Sequence, residues 1–358
     1  MSQLTHPSSP SAVEALDQLT LLQGRFREGI DRLSALYGDG ATLAKTTWLR
    51  DQGVHGGGWR FEGTDQGILN RGSLNISTVH YDDLPEKRLS SATALSCIVH
   101  PDHPQAPSLH THISWTELRD GSGGWRLMAD LNPSIPVEED RHHFVSRLDE
   151  ALLSGGELSE REVEYMRAQG DQYFQIPSLH RTRGVAHYYL EQWRGSSWTN
   201  ELATVQLFGV KVIDTYLGLV DKALRRATSP SDEQRAQQLD YHSTYFLQVL
   251  TLDRGTSSGL MVHDQNDVGI LGSLPQRVSP LRLRQWSADL PSIQRQLMSE
   301  LLEVLPDEEI ALLSSDIRAQ LAQTTRRFLR IHPEAISLQA RGDILPPTVA
   351  HHQDSQTH

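Results

Sequence analysis

The chain has 358 residues and a single cysteine, Cys97, so no internal disulfide can form and no zinc site can be built from cysteines. No window approaches 18 consecutive apolar residues, which leaves no evident membrane-crossing helix. The first residues, MSQLTHPSSPSAVEALDQ, lack the basic flank and apolar stretch of a secretory signal, so the expected compartment is the cytoplasm. Positive charge is scarce: 33 Lys and Arg stand against 45 Asp and Glu, a net charge of −12. A nucleic-acid binder needs a basic face, so that partner is not expected. An anionic substrate would be repelled at long range and would need a concentrated cationic pocket.

What is present is the composition of a soluble globular protein: 37% apolar residues, 22% charged residues, 26 Gly and 17 Pro. The one unusual count is 17 His, which raises metal binding or proton transfer as chemistry. Residues 1–12 are rich in Ser, Pro and Thr and read as a disordered lead, and residues 341–358 read as a flexible tail. Residues 13–340 form one domain, since no repeat or linker divides the middle.

Leu19, Leu22, Phe26, Ile30 and Leu33 recur at three- and four-residue steps, which predicts an amphipathic helix over 13–37. The GGG run at 56–58 reads as a flexible loop, having neither a Walker lysine nor the context of a dinucleotide site. Segments 74–81, 94–100 and 109–118 have the β-branched content and short length of strands. The turn signal DGSGG at 120–124 predicts an antiparallel pair between 109–118 and 125–131. Helical spacing returns over 157–174 and 200–227; 243–253 reads as another strand, with a further one near 268–274. Two helices, 291–304 and 307–330, close the chain. The fold class is α/β of the α+β type: a large, mostly antiparallel sheet flanked by helices on both faces.

The densest chemistry lies in 96–143. Residues two apart on a strand share a face, so His110, His112 and Ser114 point one way, as do Arg126, Met128 and Asp130 on the neighbouring strand. If the hairpin pairs as its turn suggests, two imidazoles, a guanidinium and a carboxylate face one cavity. That set can hold a polarised N–H group and exchange protons. The plainer reading is that two histidines on a strand face are surface residues. A His-x-His step also suits a metal, with His100, His110, His112 and His143 as the candidate ligands if the fold gathers them. Glu138, Glu139 and Asp140 read as the acidic start of a helix.

The run Ser96, His100, Pro101, Pro104, Pro107, His110 resembles the signature of oxygen-dependent coproporphyrinogen-III oxidases. LNIS (74–77), ADLNP (129–133), DQYF with TRG (171–174, 182–184) and LDRGTSSGL (252–260) resemble further segments of that family, in its order. The resemblance implies a flat antiparallel sheet between helices and a homodimer. It also implies oxidative decarboxylation of two propionates to vinyl groups, with O2 as co-substrate and no organic cofactor; a divalent metal (Fe or Mn) is left open. By the same resemblance, Asp130 would hold pyrrole N–H groups, His110 would handle protons, and Ser96 and Arg183 would contact substrate. His100 would sit in a histidine cluster.

The sequence also departs from the pattern. The family's H-x-N-x-R strand reads His110-Thr-His112-Ile-Ser114 here, so a propionate-clamping arginine is a serine. A substrate loop with glycines and an arginine reads approximately His263-Asp264-Gln265. Losing charge-assisted hydrogen bonds of about 1.5–3 kcal/mol each would weaken binding of a carboxylate-rich substrate steeply unless others replace them. Arg126, Arg181 or Arg183 could do so, with His112, Ser114, Asp264 and Gln265 as further substrate contacts. Three readings follow: a divergent coproporphyrinogen oxidase, an O2-using relative with a less anionic substrate, or a non-catalytic tetrapyrrole-binding protein.

Overall fold

The computed structural model describes residues 4–339. Helix α1 (Pro10–Tyr37) begins where Ser9 caps the first turn by accepting from Ala12 N, with proline at the first helical position. Its buried stripe includes the predicted Leu19, Leu22, Phe26, Ile30 and Leu33. The lead before it is not free. Thr5 bonds the carbonyl oxygens of Gly53 and Val54, and Ser9 Oγ donates to Glu117. The chain there is held by backbone acceptors that its composition does not reveal.

Seven strands form the central sheet: β1 (Ala44–Leu49), β2 (Gly56–Gln66), β3 (Leu69–His80), β4 (Leu89–Pro101), β5 (Ser108–Leu118), β6 (Gly123–Asn132) and β9 (Ala186–Trp193). They lie in that order, and every neighbouring pair is antiparallel. The predicted hairpin is the β5–β6 pair. The GGG run is strand, not loop: Gly57 and Gly58 pair with both β1 and β3. Glycine is needed at Gly58 because a Cβ would stand 2.0 Å from the carbonyl oxygen of Ile76.

One face of the sheet is covered by α1, α2 (Glu138–Ser154) and α4 (Trp198–Arg226), whose apolar sides meet Leu74, Cys97, Ile113 and Leu127 in one core. Each fully buried Leu or Phe there contributes about 1.5–3 kcal/mol. By length and hydropathy α4 could cross a membrane, which the run-length criterion missed; 61% of its most apolar window is buried within the protein. The predicted acidic start at Glu138–Asp140 is the first turn of α2. Helix α3 (Glu160–Tyr173) packs beside β9, and the short pair β7 (Gln175–Ile176) and β8 (Arg181–Thr182) leads the chain to Arg183.

The opposite layer holds α5 (Asp232–Thr251), α6 (Arg254–Val262), α7 (Asp267–Ile270), α8 (Pro280–Ser287), α9 (Ser292–Val304) and α10 (Ser315–Ile331), with a small ladder of β10 (Arg277–Val278) and β11 (Ala311–Leu312). These build a second core around Phe246, Leu250, Leu301 and Phe328. Residues 243–253, expected as a strand, are mostly the last turns of α5. Every residue from Tyr241 to Thr251 is buried, so no polar face remains to mark a helical period. The strand expected near 268–274 is helical turns that roof the sheet, and the last long helix starts at Ser315 rather than 307. The tail at 341–358 lies outside the described residues.

Candidate active site

Strand alternation separates the two faces of β5. Leu109, Ile113 and Trp115 enter the α1–α4 core, whereas His110, His112, Ser114 and Thr116 face the other way. That second face, with Ser96 of β4 and Arg126 and Met128 of β6, floors a cleft of about 360 Å³. Its roof comes from α6 and the turns after it, through Thr256, His263, Asn266 and Ile270. Much of the floor carries small side chains (Ser73, Ser77, Ala92, Ala94, Ser96, Ser114), which leaves a broad, shallow surface.

Asp130, directly opposite His110 in the β5–β6 ladder, points to the same face of the sheet but is fully buried and does not line the cleft. Its Oδ1 lies 2.7 Å from His110 Nδ1, and its Oδ2 accepts from Arg183 Nη2 at 2.8 Å and from Asn132 Nδ2 at 2.6 Å. Burial works against the carboxylate, but the Arg183 charge and the hydrogen bonds from His110 and Asn132 outweigh it and hold the acid well below the usual carboxylate range. An ionised Asp130 only accepts, so His110 Nδ1 must carry the proton between them. Nε2 is then the ring nitrogen that His110 offers to the cleft. The resemblance implies contact between Asp130 and a pyrrole N–H; in this structure Asp130 is not a lining residue and meets the cleft through His110.

Arg183 likewise differs from expectation. Its side chain is wholly buried, donating to Asp130 and to Gln248 Oε1 at 2.6 Å, with the guanidinium 4.3 Å from the Phe174 ring centroid and 4.7 Å from that of Tyr245. It is the counter-ion of Asp130 rather than a substrate clamp. Arg181 pairs with Asp240, and His187 with Asp171, both away from the cleft lining.

Arg126 does line the cleft, but it is already paired. Its Nε and Nη2 donate to the two carboxylate oxygens of Glu191 at 2.6 and 3.1 Å, and Tyr189 donates to the same carboxylate at 2.7 Å. A bulge in β9, where Gln192 has a φ of 52°, turns Glu191 toward Arg126. Burial disfavours the guanidinium, yet Glu191 reverses that and raises its pKa. His112 is pushed well below the ordinary histidine value by burial, then by the Arg126 and His110 charges, and is neutral at pH 7.

The far end of the floor holds Tyr173 stacked on Tyr189, centroids 4.7 Å apart, with its hydroxyl donating to Asp253 Oδ1 at 3.1 Å. Asp253 also caps α6 by accepting from Thr256 N. Tyr173, Tyr189, Glu191 and Asp253 therefore belong to the cleft although the sequence reading did not single them out as site residues, and His263 of the segment read as the substrate loop lines it too. Tyr173 and Asp253 lie inside motifs that carried the resemblance, so a signal existed. Nothing in the sequence marks Glu191.

Ser96, His110, His112, Ser114 and Arg126 come together as expected, whereas Asp264 and Gln265 do not line the cleft. Both are exposed, and Gln265 exchanges hydrogen bonds with Asp51. The expected metal ligands do not gather either. His100 is buried between Ser108 Oγ and the Ser273 carbonyl oxygen, both at 3.0 Å, and His143 is exposed on α2. Among the described residues no three His, Cys, Asp or Glu side chains converge on a point a metal could occupy. The donor set therefore does not fit a divalent metal.

A family model described as coproporphyrinogen III oxidase matches residues 18–303. The chain is also 27% identical to the oxygen-dependent coproporphyrinogen-III oxidase of Prochlorococcus marinus, over 76% of this chain and 86% of that protein. The matched span runs from α1 to the end of α9 and so includes the whole floor and roof of the cleft, and on it the chain belongs to the coproporphyrinogen III oxidase family.

Proposed function

We propose that this protein is an oxygen-dependent oxidase of a reduced tetrapyrrole of the coproporphyrinogen class, removing propionate carboxyl groups to leave vinyl groups. The observation that carries the reading is the His110–Asp130 pair under a broad cleft paved with small side chains. It offers an open, flat surface on which a macrocycle could lie and one oriented proton-handling nitrogen. Each cycle balances as R–CH2–CH2–COO⁻ + O2 + H⁺ → R–CH=CH2 + CO2 + H2O2. A C–H and a C–C bond break, the ring side chain loses two electrons, and oxygen gains them. His110 Nε2 is the group positioned to hold or deliver a proton at the reacting edge, while Asp130 fixes the tautomer and orientation of the ring. The related enzyme's name supports the reaction class, and the same reading carries an expected cytoplasmic homodimer with no organic cofactor.

A second reading has one observation in its favour. Arg126, the arginine of the floor itself, is neutralised by Glu191, which suits a substrate with fewer carboxylates. Aerobic incubation with freshly reduced coproporphyrinogen III, followed by mass spectrometry, separates the two. Two successive losses of the elements of formic acid establish the first reading. Intact, folded protein that leaves the substrate unchanged rejects it in favour of the second.

A further inference from the structure

A second concavity, about 350 Å³, lies at the β2–β3 end of the sheet and shares no lining residue with the cleft. Arg60 of β2, Arg71 of β3 and Arg318 of α10 line it, with Glu62 as the only acidic side chain among its lining residues. The arginines are 7%, 6% and 3% exposed, so three guanidinium groups are buried around one carboxylate, a local excess of two positive charges in a chain whose net charge is −12. Buried charge without compensation is costly, so an excess of this kind needs an anion.

The hydrogen bonding points the same way. Arg71 is fully engaged, donating to the Gly272 carbonyl oxygen, Thr64 Oγ1 and Glu62 Oε2. Arg60 donates to Asn266 Oδ1 at 3.3 Å, but its buried Nε, although 3.1 Å from Glu62 Oε1, has no aligned acceptor. Arg318 donates to the carbonyl oxygens of Leu313 and Leu274 and to Gln276 Oε1, and its Nε is also buried without a partner. Burial and the neighbouring Arg71 lower the Arg318 pKa to about 9, the mark of a cation short of counter-charge. The first turn of α10, with exposed Ser315, closes the rim and adds its positive dipole end.

We infer that Arg60, Arg71, Arg318 and the start of α10 form an anion site for one doubly charged oxyanion of phosphate size. A phosphate group at about −1.5 to −2 matches the local charge excess, and the three arginines with Ser315 line the concavity it would fill. The site also communicates with the cleft roof, because Arg60 and Arg71 each donate to a residue of the 266–272 segment.

The test is calorimetric titration of inorganic phosphate into the full chain at constant ionic strength, with chloride as control. One saturable site per chain is expected. Ser315→Asp puts a carboxylate on the exposed rim, at a helix start that favours it, and should weaken phosphate binding at least tenfold without loss of folding. Arg60→Gln should weaken it similarly, while Arg126→Gln should leave it unchanged. Absence of saturable binding, or binding unaffected by Ser315→Asp and Arg60→Gln, overturns the proposal. Binding abolished by Arg126→Gln alone assigns the phosphate to the cleft and overturns it equally.

Discussion

Asp130 and His110 are direct partners in the β5–β6 ladder, and the side chains meet again at 2.7 Å above the backbone pairing. The strand register itself therefore sets the orientation of the imidazole, with Arg183 and Asn132 holding the far carboxylate oxygen. Asp130→Asn preserves shape but removes the charge that keeps Nδ1 protonated and that neutralises buried Arg183. Turnover should fall about 100-fold or more, and stability should drop by roughly 3–5 kcal/mol because one partner of a buried ion pair is lost. Nitrogen NMR of the His110 ring checks the tautomer separately from folding. Unchanged ring shifts together with wild-type turnover would sink this assignment.

Glu191 decides whether Arg126 is available to a substrate carboxylate. Glu191→Gln should release Arg126 and tighten binding of a propionate-bearing ligand by about 10- to 100-fold, the worth of one charge-assisted hydrogen bond. Arg126→Ala should act oppositely, since it leaves the Glu191 charge facing the cleft. Fluorescence titration with coproporphyrin III, the unreactive oxidised macrocycle, measures both. Equal affinities for the two variants would show that the ion pair has no bearing on carboxylate binding.

These two relationships differ in how far the sequence discloses them. The β5–β6 hairpin is legible because a glycine-rich turn sits between two short alternating segments, and the alternation alone places His110, His112 and Ser114 on one face. Glu191 is not, because it meets Arg126 through a bulge in a strand 65 residues on. The last turns of α5 fail for a different reason: a helix buried all round has no polar side, and Ser243–Asp253 then looks like a β-branched, aromatic strand. The residues that match the family motif mislead about contact as well. Asp130 and Arg183 stand where the motif puts them, yet packing buries both outside the cleft lining.

The GGG segment gives a backbone test. Gly58→Ala would place a methyl 2.0 Å from the Ile76 carbonyl oxygen and 2.8 Å from Trp48 Nε1, within the β1–β2–β3 ladder. The Ile76 backbone cannot yield cheaply and the Trp48 indole crowds the other side, so a loss of at least about 2–3 kcal/mol is expected. Gly24 in α1 has nothing within 4 Å of an added Cβ, and Gly24→Ala should stabilise by about 0.5–1 kcal/mol. Urea unfolding of the pair reads both signs. A neutral Gly58→Ala would mean the segment is the flexible loop its composition suggests.

Acid sensitivity follows from the buried histidines. Burial lowers His100 and His263 to about 3, with Arg183 adding to the effect at His100 and Arg50 at His263; the Ser273 hydrogen bond to His100 only partly offsets it. His112 and His242 are displaced in the same direction, chiefly by burial. An unfolded imidazole takes up its proton near pH ~6.5. Between that value and about 3 the unfolded chain binds more protons than the folded one, so stability falls as pH falls through this window. At about pH 5 the fully buried His100 alone costs up to about 2 kcal/mol relative to about pH 7. Urea unfolding at the two pH values should register a decline of several kcal/mol. His100→Gln retains a neutral donor and acceptor for Ser108 and Ser273, and should shrink that decline by up to about 2 kcal/mol. The lowered stability in acid would then be assigned to imidazoles that stay neutral in the folded chain and charge only once it unfolds. A decline of equal size in wild type and His100→Gln would exclude His100 from that role and shift it to the remaining buried groups.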